Sequence, residues 1–244
     1  MTRIPDLLEL LKSGTHFGHQ LSKRNPKMKP YIFTEKNGFH IINLEITQRK
    51  LQEALDFAQN VAAKGGTILF LGTKKQAKEI VKKHAQACGM PYVTERWLGG
   101  TFTNFKSVSK QIKKYTDLKK KKLTGELEKY TKKERVMFDK EISKLEETVG
   151  GIEELHRIPE AVFACDLRKE KTAVNEANKL NIPIIGVCDT NVNPEKVAYA
   201  IPANDDSVKS IELITSLISQ AIIEGKAKAK TIQAEPVPAV TAAE

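Results

Sequence analysis

Short apolar segments alternate with longer segments of helical periodicity along most of this 244-residue chain. The longer segments carry apolar residues three and four positions apart, as helices do when they cover one face of a sheet. Apolar strands that alternate with such helices indicate a parallel β-sheet with helices on both faces, built from right-handed crossovers. The sequence therefore predicts an α/β fold, with strands at 39–44, 67–72, 91–95, 161–166, 182–189 and 198–201.

The predicted helices have recognisable ends. Thr47 is expected to cap the helix after the first strand, and Gly65-Gly66 ends that helix. Gly89 ends the helix after the second strand. Two further helices are predicted near 168–180 and at 207–224.

The segment 106–150 interrupts the alternation, because it contains helix-forming residues and no strand signal. A break at Leu123-Thr124-Gly125 divides it into two arms, which predicts an inserted antiparallel helical hairpin. Each arm of about 18 residues would be about 27 Å long and would project from the globular body. The second arm has the apolar spacing of a coiled coil, and the first arm begins a matching series: Phe138, Ile142, Leu145, Val149 and Ile152, with Val108, Ile112 and Tyr115.

These boundaries define the expected domain organisation. Residues 1–105 and 151–224 form the α/β domain, and residues 106–150 form the hairpin. The segment 225–244 has little apolar content and two prolines, so a disordered tail is predicted there.

Positive charge is concentrated in one part of the chain. The net charge is +10, from 40 basic and 30 acidic residues, and residues 106–135 alone hold 12 basic and 4 acidic residues. A basic excess this localised predicts a polyanionic partner, because each lysine that reaches a phosphate releases condensed counterions. A solvated lysine-rich face that keeps the protein soluble is the alternative interpretation.

A second basic segment, residues 16–33, is called the N-terminal arm here. It interleaves Lys23, Arg24, Lys27 and Lys29 with aromatic residues, and two prolines interrupt any regular helix. An extended basic loop of this kind suits phosphate contacts and stacking on unpaired bases, so the arm is expected to order mainly on RNA. In the alternative interpretation, the aromatic residues dock the arm onto the sheet and the lysines are only solvated; both interpretations are expected to be partly true.

Two further groups of residues have a predicted role, one in the N-terminal arm and one at 96–105. His16 and His19 would share a face of a helix and could begin a metal site, but hydrogen bonds within a loop or RNA contact are favoured. In the run RWLGGTFTNF (96–105), Trp97 is the expected anchor of a loop that fastens the hairpin to the body. Arg96 in the same run could reach a phosphate.

Common catalytic signatures are missing from the sequence. It contains no P-loop, no GxGxxG fingerprint, no GxSxG elbow and no HExxH motif. Asp166, Asp189 and Asp205 follow predicted strands, so a Mg²⁺-dependent enzyme acting on sugar phosphates is an alternative. Capping of the following helices by these aspartates is the favoured interpretation.

The cellular setting follows from simple features. No apolar run approaches the roughly 20 residues of a membrane helix, and the N-terminus lacks a signal-peptide pattern. The three cysteines are far apart, which excludes a disulfide framework and a zinc ribbon. A reducing, cytoplasmic location is expected.

Five motifs of the chain stand out together: SGTHFGHQLSKRNPKMKPYIF (13–33), FHIINL, RWLGGTFTNF, IPIIGVCDTNVNP and IPANDD. In sequence and in order, over roughly residues 5–224, they resemble the bacterial-type small-subunit ribosomal protein S2 family. The resemblance implies a flavodoxin-like parallel sheet with an inserted coiled-coil hairpin and a non-enzymatic role.

The resemblance also implies partners. Members bind small-subunit ribosomal RNA near the junction of head and body, join late in assembly and help hold ribosomal protein S1, which captures messenger RNA. Neighbouring small-subunit proteins are the other expected partners, and no cofactor, membrane or homo-oligomer is expected. The residues predicted to bind RNA are His16, His19, Lys23, Arg24, Asn25, Lys27, Lys29, Arg96, Lys106, Lys110, Lys113 and Lys114.

Some relatives hold a metal ion near the loop that corresponds to DTNVNP, but this metal site is not predicted for this chain. Many relatives have an aspartate where this chain has Asn193. A site formed by His19, Asp189 and Asp205 would therefore lose a negative ligand, and no metal is predicted.

Overall fold

The computed structural model describes residues 3–234, with side chains described as far as residue 229. The strands are β1 (Phe17–Gln20), β2 (Ile32–Lys36), β3 (Phe39–Ile42), β4 (Ile68–Leu71), β5 (Tyr92–Val93), β6 (Ala161–Ala164), β7 (Ile184–Cys188) and β8 (Tyr199–Pro202). The helices are α1 (Leu7–Lys12), α2 (Leu44–Ala63), α3 (Lys78–Cys88), α4 (Phe105–Leu123), α5 (Lys132–Val149), α6 (Lys171–Lys179) and α7 (Val208–Ala234).

A five-stranded sheet in the order β5-β4-β6-β7-β8 forms the centre of the fold, and every neighbouring pair is parallel. Its central strands are buried along their whole length, as expected when helices cover both faces. The predicted α/β class with a flavodoxin-like parallel sheet is confirmed. Five of the predicted strands belong to this sheet; four have shorter bounds, and the strand predicted at 198–201 is shifted by one residue to Tyr199–Pro202.

Each face of the sheet has its own hydrophobic core. Ile68 and Phe70 point to the core shared with α2, α3 and α7, where Phe70 packs edge-on against Phe163 at 5.3 Å between ring centroids. Leu69 and Leu71 point to the opposite core, shared with α4, α5 and α6. This alternation along β4 reflects the two-residue period of a strand.

The first predicted strand does not join the parallel sheet. Strand β3 pairs with β1 and β2 in a separate antiparallel sheet of three strands. Asn37 and Gly38 both have positive φ, at 52° and 80°, which gives the tight reversal that makes β2 and β3 a hairpin. The prediction of a strand at 39–44 was right in kind and wrong in its sheet.

The cap of α2 is Asn43 and not Thr47. The Asn43 side chain accepts hydrogen bonds from the backbone N–H groups of Glu45 and Ile46, at 3.0 and 3.4 Å. Thr47 lies one turn inside the helix, where its buried hydroxyl lies 2.6 Å from the carbonyl oxygen of Pro202, to which it donates. The predicted cap was therefore wrong by one helical turn.

The N-terminal arm is not the extended loop that the sequence predicts. It contains two short 3-10 helices, Leu21–Lys23 and Pro26–Tyr31, and the side chain of Met28 is fully buried. The Asn25 N–H donates to the carbonyl oxygen of Thr190 at 2.8 Å. Pro26 is tolerated at the start of the second 3-10 helix, because a backbone N–H at the first position of a helix would have no partner within that helix. The arm is thus packed on the body.

Helices α4 and α5 occupy the predicted hairpin segment, joined through a short 3-10 helix, Glu126–Lys129. They pack against each other and share a hydrophobic core with the parallel sheet. The buried residues of the two helices are Val108, Ile112, Tyr115, Leu118, Ile142 and Val149. Coiled-coil geometry and projection from the body remain predictions.

The last helix is longer than predicted. It continues past residue 224 to Ala234, so the predicted tail overlaps the helix at 225–234. Gly225 allows α7 to approach α2, since a Cβ there would lie 2.3 Å from the carbonyl oxygen of Gln59. The ammonium of Lys226 donates to the carbonyl oxygen of Cys88 at 2.7 Å. The rest of the predicted tail, 235–244, lies outside the described residues.

No helix within residues 3–234 combines the length and apolar character needed to cross a lipid bilayer.

Candidate nucleic-acid interface and strand-end cluster

Five lysines form an exposed basic row on α4, called the α4 lysine face here: Lys106, Lys110, Lys113, Lys120 and Lys121. Spacings of four, three and seven residues bring the first four to one side of the helix, and they span about 21 Å at the helical rise. The buried residues of α4 lie on the opposite side. None of the five ammonium groups has an ion-pair partner among the described side chains.

Three other lysines of α4 are neutralised within the protein. Lys114 pairs with Glu141, which leaves this predicted RNA ligand with a competing partner. The ammonium of Lys119 lies 2.7 Å from Glu153, and that of Lys122 lies 2.7 Å from Asp139. These lysines flank the buried side of α4, where acidic residues of the neighbouring segment are within reach. The eight lysines of α4 therefore fall into two groups: five without an ion-pair partner among the described side chains and three that form ion pairs within the protein.

The basic residues of the N-terminal arm are also divided. Lys23 and Lys29 are exposed and have no ion-pair partner among the described residues. Arg24 lies 3.9 Å from Glu35, and Lys27 lies 2.8 Å from Glu195.

Asn25 and Arg96 complete the predicted RNA ligands of this region. The Asn25 side chain caps the second 3-10 helix by accepting from the Lys27 N–H at 3.0 Å. Arg96 is exposed at the start of the loop that leads into α4.

A single carboxylate holds that loop. Glu176 accepts hydrogen bonds from the Trp97 indole at 3.1 Å and from the backbone N–H groups of Gly100 and Phe102 at 2.8 and 3.0 Å. The backbone N–H and the hydroxyl of Thr103 also donate to it. Burial opposes ionisation of Glu176, but these donors outweigh it and lower its pKa. Trp97 is the anchor that the sequence predicts, whereas Glu176 was missed.

Charged groups converge at the carboxyl edge of the parallel sheet. Asp166, Asp189 and Asp205 follow β6, β7 and β8, and Lys74 follows β4. The Lys74 ammonium lies 2.8 Å from Asp205, 2.7 Å from Asp206 and 3.4 Å from Asp166. This strand-end cluster therefore contains its own cation.

Asp166 and Asp205 do not cap the following helices as predicted. Asp166 accepts hydrogen bonds from the backbone N–H groups of Arg168 and Lys169, at 2.8 and 3.0 Å, in the turn that precedes α6, and the cap position of α6 is Glu170. Asp205 pairs with Lys74 instead, and the turn before α7 is capped by Asn204, which accepts from the Ser207 N–H at 3.0 Å. Lys74 is 131 positions from Asp205 in sequence, so no local sequence pattern predicts that the two residues pair.

Burial and charge give Asp205 an unusual protonation equilibrium. It is almost fully buried, and burial together with Asp166 and Asp189 raises the pKa of Asp205 to about 7, against the opposing effect of Lys74. Burial disfavours the charged form of Lys74, but Asp205 and Asp206 outweigh it and raise its pKa. The cluster can therefore exchange a proton near neutral pH.

His19 connects the small sheet to this cluster. Its Nδ1 lies 3.1 Å from Asp189 and its Nε2 lies 3.6 Å from Asp206. The hydrogen bond with Asp189 raises the pKa of His19, although burial opposes it. The His19 backbone N–H also donates to the Thr190 hydroxyl at 2.9 Å.

His16 does not share a site with His19. Its ring packs on Phe17 with centroids 4.0 Å apart, and burial lowers its pKa. The spacing of three would align the two histidines on a helix, but residues 17–20 form a strand, where that spacing reverses the side-chain direction.

The strand-end cluster also offers ligand atoms of His19, Asp205 and Asp206 within 4.8 Å of one another. Lys74 already occupies the cationic position beside both carboxylates. Asn193 uses its side-chain oxygen to accept from the Glu195 N–H at 3.0 Å. The donor set is satisfied by the chain itself, and no metal is assigned to it.

Comparison with known families agrees with this architecture. The family model described as ribosomal protein S2 matches residues 10–225, which include both sheets, α4 and α5, and the strand-end cluster. The match covers most of the chain and bears out the resemblance carried by the five motifs. The chain belongs to the ribosomal protein S2 family, whose members are structural proteins of the small ribosomal subunit.

Proposed function

We propose that this chain binds small-subunit ribosomal RNA as a non-catalytic component of cytoplasmic ribosomes. The α4 lysine face is the observation that supports this most directly. Its five exposed ammonium groups have no ion-pair partner among the described side chains, so they contact phosphates without first breaking an internal pair. Lysine side chains on a helix surface give affinity and position and carry little base information.

The N-terminal arm contributes a second contact region in this proposal. Lys23, Lys29 and Arg96 are exposed cations, and Phe33 is 72% exposed and suited to stacking on an unpaired base. His16, Arg24, Asn25 and Lys27 lie in the same region but have internal contacts that RNA would have to replace or share. His19 is engaged by Asp189, which makes it a weaker RNA ligand than the lysines.

Protein partners follow from family membership. We extend to this chain the expected contact with neighbouring small-subunit proteins and the docking of ribosomal protein S1, with one copy of the chain per subunit. Reconstitution of subunits with and without the chain tests this part. S1 should be retained only when the chain is present.

An enzyme that uses the strand-end carboxylates is the alternative, because these groups do converge beside a cavity of about 250 Å³ lined by His19, Asp189 and Asp206. The pairing of Asp205 with Lys74 argues against it, since a catalytic carboxylate needs access to substrate. Sedimentation of the native protein with ribosomal subunits supports the first function. A Mg²⁺-dependent activity abolished by Asp205→Asn supports the second.

The sharpest test compares two triple variants of equal charge change. Lys106→Gln, Lys110→Gln and Lys113→Gln together remove three charges from the α4 lysine face. The control replaces Lys64, Lys82 and Lys209 by Gln, which are exposed lysines of the body without ion-pair partners among the described residues. Binding to small-subunit ribosomal RNA is measured across a potassium chloride series, with circular dichroism to verify folding.

If all three lysines contact duplex phosphates, the slope of log affinity against log salt flattens by up to about 2.7 for the α4 variant. The control should leave that slope nearly unchanged. Equal slopes for the two variants would contradict the proposed interface on α4.

A further inference from the structure

A small cleft lies beside the ends of β6 and β7, outside the residues proposed above apart from Asn25. It has a volume of about 200 Å³ and is bounded by α6 on one side and by the N-terminal arm on the other. Ordinary small-molecule sites are larger, at about 300–1,000 Å³. The cleft therefore has room for a fragment of a polymer, such as one base, and not for a complete dinucleotide cofactor.

The charge of the cleft is entirely positive. Arg168, Lys171 and Lys196 line it, and no carboxylate among the described residues does. All three are exposed, and none has an ion-pair partner among the described side chains. Glu195, adjacent to Lys196 in sequence, is taken up by Lys27 at 2.8 Å. Three uncompensated cations in so small a space select an anion, of which phosphate is the common biological example.

The amide side chains of the cleft are set up to hydrogen-bond a ligand. The side-chain oxygen of Asn191 is buried and accepts no hydrogen bond from any described residue. Asn25 and Asn193 use their oxygens for the backbone N–H groups of Lys27 and Glu195, so their amino groups are the atoms that remain to donate to a ligand. An acceptor with two donors matches the edge of a nucleobase or a ribose hydroxyl.

The floor of the cleft is apolar. Leu167, Val174 and Val192 are each at least nine-tenths buried and contribute their side chains to its lining. The flat face of a base can rest on such a surface, with the amides at its edge and the cations at its phosphate. A phosphate alone would not need this apolar floor.

We infer that this cleft receives one unpaired nucleotide of an RNA strand that passes between the N-terminal arm and α6. The inference rests on the proposed binding of ribosomal RNA and adds a base-holding site to it. Arg168, Lys171 and Lys196 contact the phosphates, and Asn191 accepts a hydrogen bond from the base or the ribose. The same nucleotide contacts Asn25, so this site continues the surface of the N-terminal arm.

The first test removes the charge of the cleft. Arg168, Lys171 and Lys196 are replaced together by Gln, and the control is again the Gln variant of Lys64, Lys82 and Lys209. Binding of the full chain to small-subunit ribosomal RNA is measured across a salt series. Single-stranded contacts give a smaller counterion term than duplex contacts, so the slope should flatten by up to about 2.1.

The second test changes no charge. Asn191→Leu removes the buried acceptor, and Asn60→Leu, at an exposed position on α2, is the matched control. Loss of one such hydrogen bond should weaken RNA binding by up to about tenfold without altering the salt slope. Circular dichroism and thermal unfolding identify a variant that has lost its fold, in which case Asn191→Ala, which also lacks an acceptor, replaces it.

The outcomes separate this inference from the proposed function. If the cleft variants bind RNA like their controls while the α4 variant is weakened, the cleft inference is overturned and the proposed function stands. If the α4 variant and the cleft variants all bind like their controls, both fail. Free AMP or inorganic phosphate bound as tightly as the RNA would also overturn the inference, because the site would then serve a small molecule.

A photo-crosslinking residue at Asn175, on the rim of the cleft, distinguishes RNA from protein as the occupant in assembled subunits. Crosslinks to ribosomal RNA support the inference. Crosslinks to another ribosomal protein and not to RNA overturn it.

Discussion

Glu176 and Trp97 are 79 positions apart in sequence, yet the Glu176 carboxylate accepts a hydrogen bond from the Trp97 indole at 3.1 Å. The same carboxylate accepts from backbone N–H groups of the loop that follows Trp97. One side chain of α6 thereby fixes the loop that leads into α4. The orientation of the α4 lysine face depends on this contact, because Phe105, the first residue of α4, follows two positions after Thr103.

Replacement of Glu176 should unfold this loop before it unfolds the sheet. Glu176→Ala leaves several buried donors without an acceptor, and we expect the free energy of unfolding to fall by about 3 kcal/mol. Urea unfolding measures the loss, and hydrogen exchange should speed up at Gly100 and Phe102. Lys179→Ala, at an exposed position of the same helix, is the control. A loss equal to that of Lys179→Ala would contradict the role assigned to Glu176.

Local patterns in the sequence predict much of the fold and fail where pairing is long-range. Apolar runs such as TILFLG give β4 because each residue of a doubly covered strand must be apolar. The strand at 39–42 looks the same locally, and only its hairpin partner β2 decides which sheet it joins. Gly89 was identified correctly as a helix end because its left-handed conformation is a local requirement.

Lys74 should be essential to the stability of the strand-end cluster. Lys74→Met leaves Asp166, Asp205 and Asp206 without their cation, and the loss of one partner of a mostly buried pair costs about 3–5 kcal/mol. The adjacent Lys75 is exposed and has no described ion pair, so Lys75→Met is a matched control with little expected effect. Thermal and urea unfolding of both variants at pH 8 give the comparison. Equal stabilities would show that the cluster does not need the Lys74 cation.

The raised pKa of Asp205 predicts a pH dependence of stability. The folded protein holds a proton on Asp205 up to about pH 7, whereas the unfolded chain releases it near pH 4. Stability therefore decreases as pH rises between these values. His19, whose pKa is also raised, contributes in the same direction as pH rises through its folded pKa.

Asp205→Asn removes the Asp205 contribution while it keeps the shape and an acceptor for Lys74. We expect the stability of this variant, relative to the wild type, to increase from pH 5 to pH 8. Urea unfolding across this range measures it, and the window avoids the titration of ordinary carboxylates below pH 5. A constant difference across the range would contradict the raised pKa.

The candidate site was harder to predict than the fold. Local sequence identifies the lysines of α4, but their division into paired and unpaired sets depends on acidic residues that α5 and its flanks bring near. Lys74 could have been found, since it follows a predicted strand and strand ends meet at one edge. Glu176 gave no such signal, because it looks like any polar residue of a surface helix.

Gly18 should control the docking of the N-terminal arm. A Cβ at this position would lie 2.6 Å from Thr190 Cγ2 and 3.1 Å from the carbonyl oxygen of His40, so Gly18→Ala must displace β1 or the buried Thr190 against which it packs. We expect faster hydrogen exchange at residues 21–31 and a stability loss of about 1–3 kcal/mol. Gly99→Ala is the control, since no atom of the described residues lies within 4 Å of a Cβ at Gly99. Unchanged exchange at 21–31 would mean that this part of the arm docks independently of β1.

The run Lys119–Lys122 allows a test of paired against unpaired lysines within a single helical turn. Lys120 and Lys121 belong to the α4 lysine face, whereas Lys119 and Lys122 are held by Glu153 and Asp139. Each Gln double variant removes two charges, and glutamine keeps the helix propensity high.

The unpaired variant, Lys120→Gln with Lys121→Gln, should flatten the salt slope of ribosomal RNA binding by up to about 1.8. The paired variant, Lys119→Gln with Lys122→Gln, should flatten it less, because those ammonium groups already have carboxylate partners and release fewer counterions when RNA binds. Circular dichroism of both variants verifies that α4 is retained. Equal slopes would mean that RNA displaces the internal ion pairs, which are weak at an exposed surface, and that proximity to RNA alone decides which lysines contact phosphate.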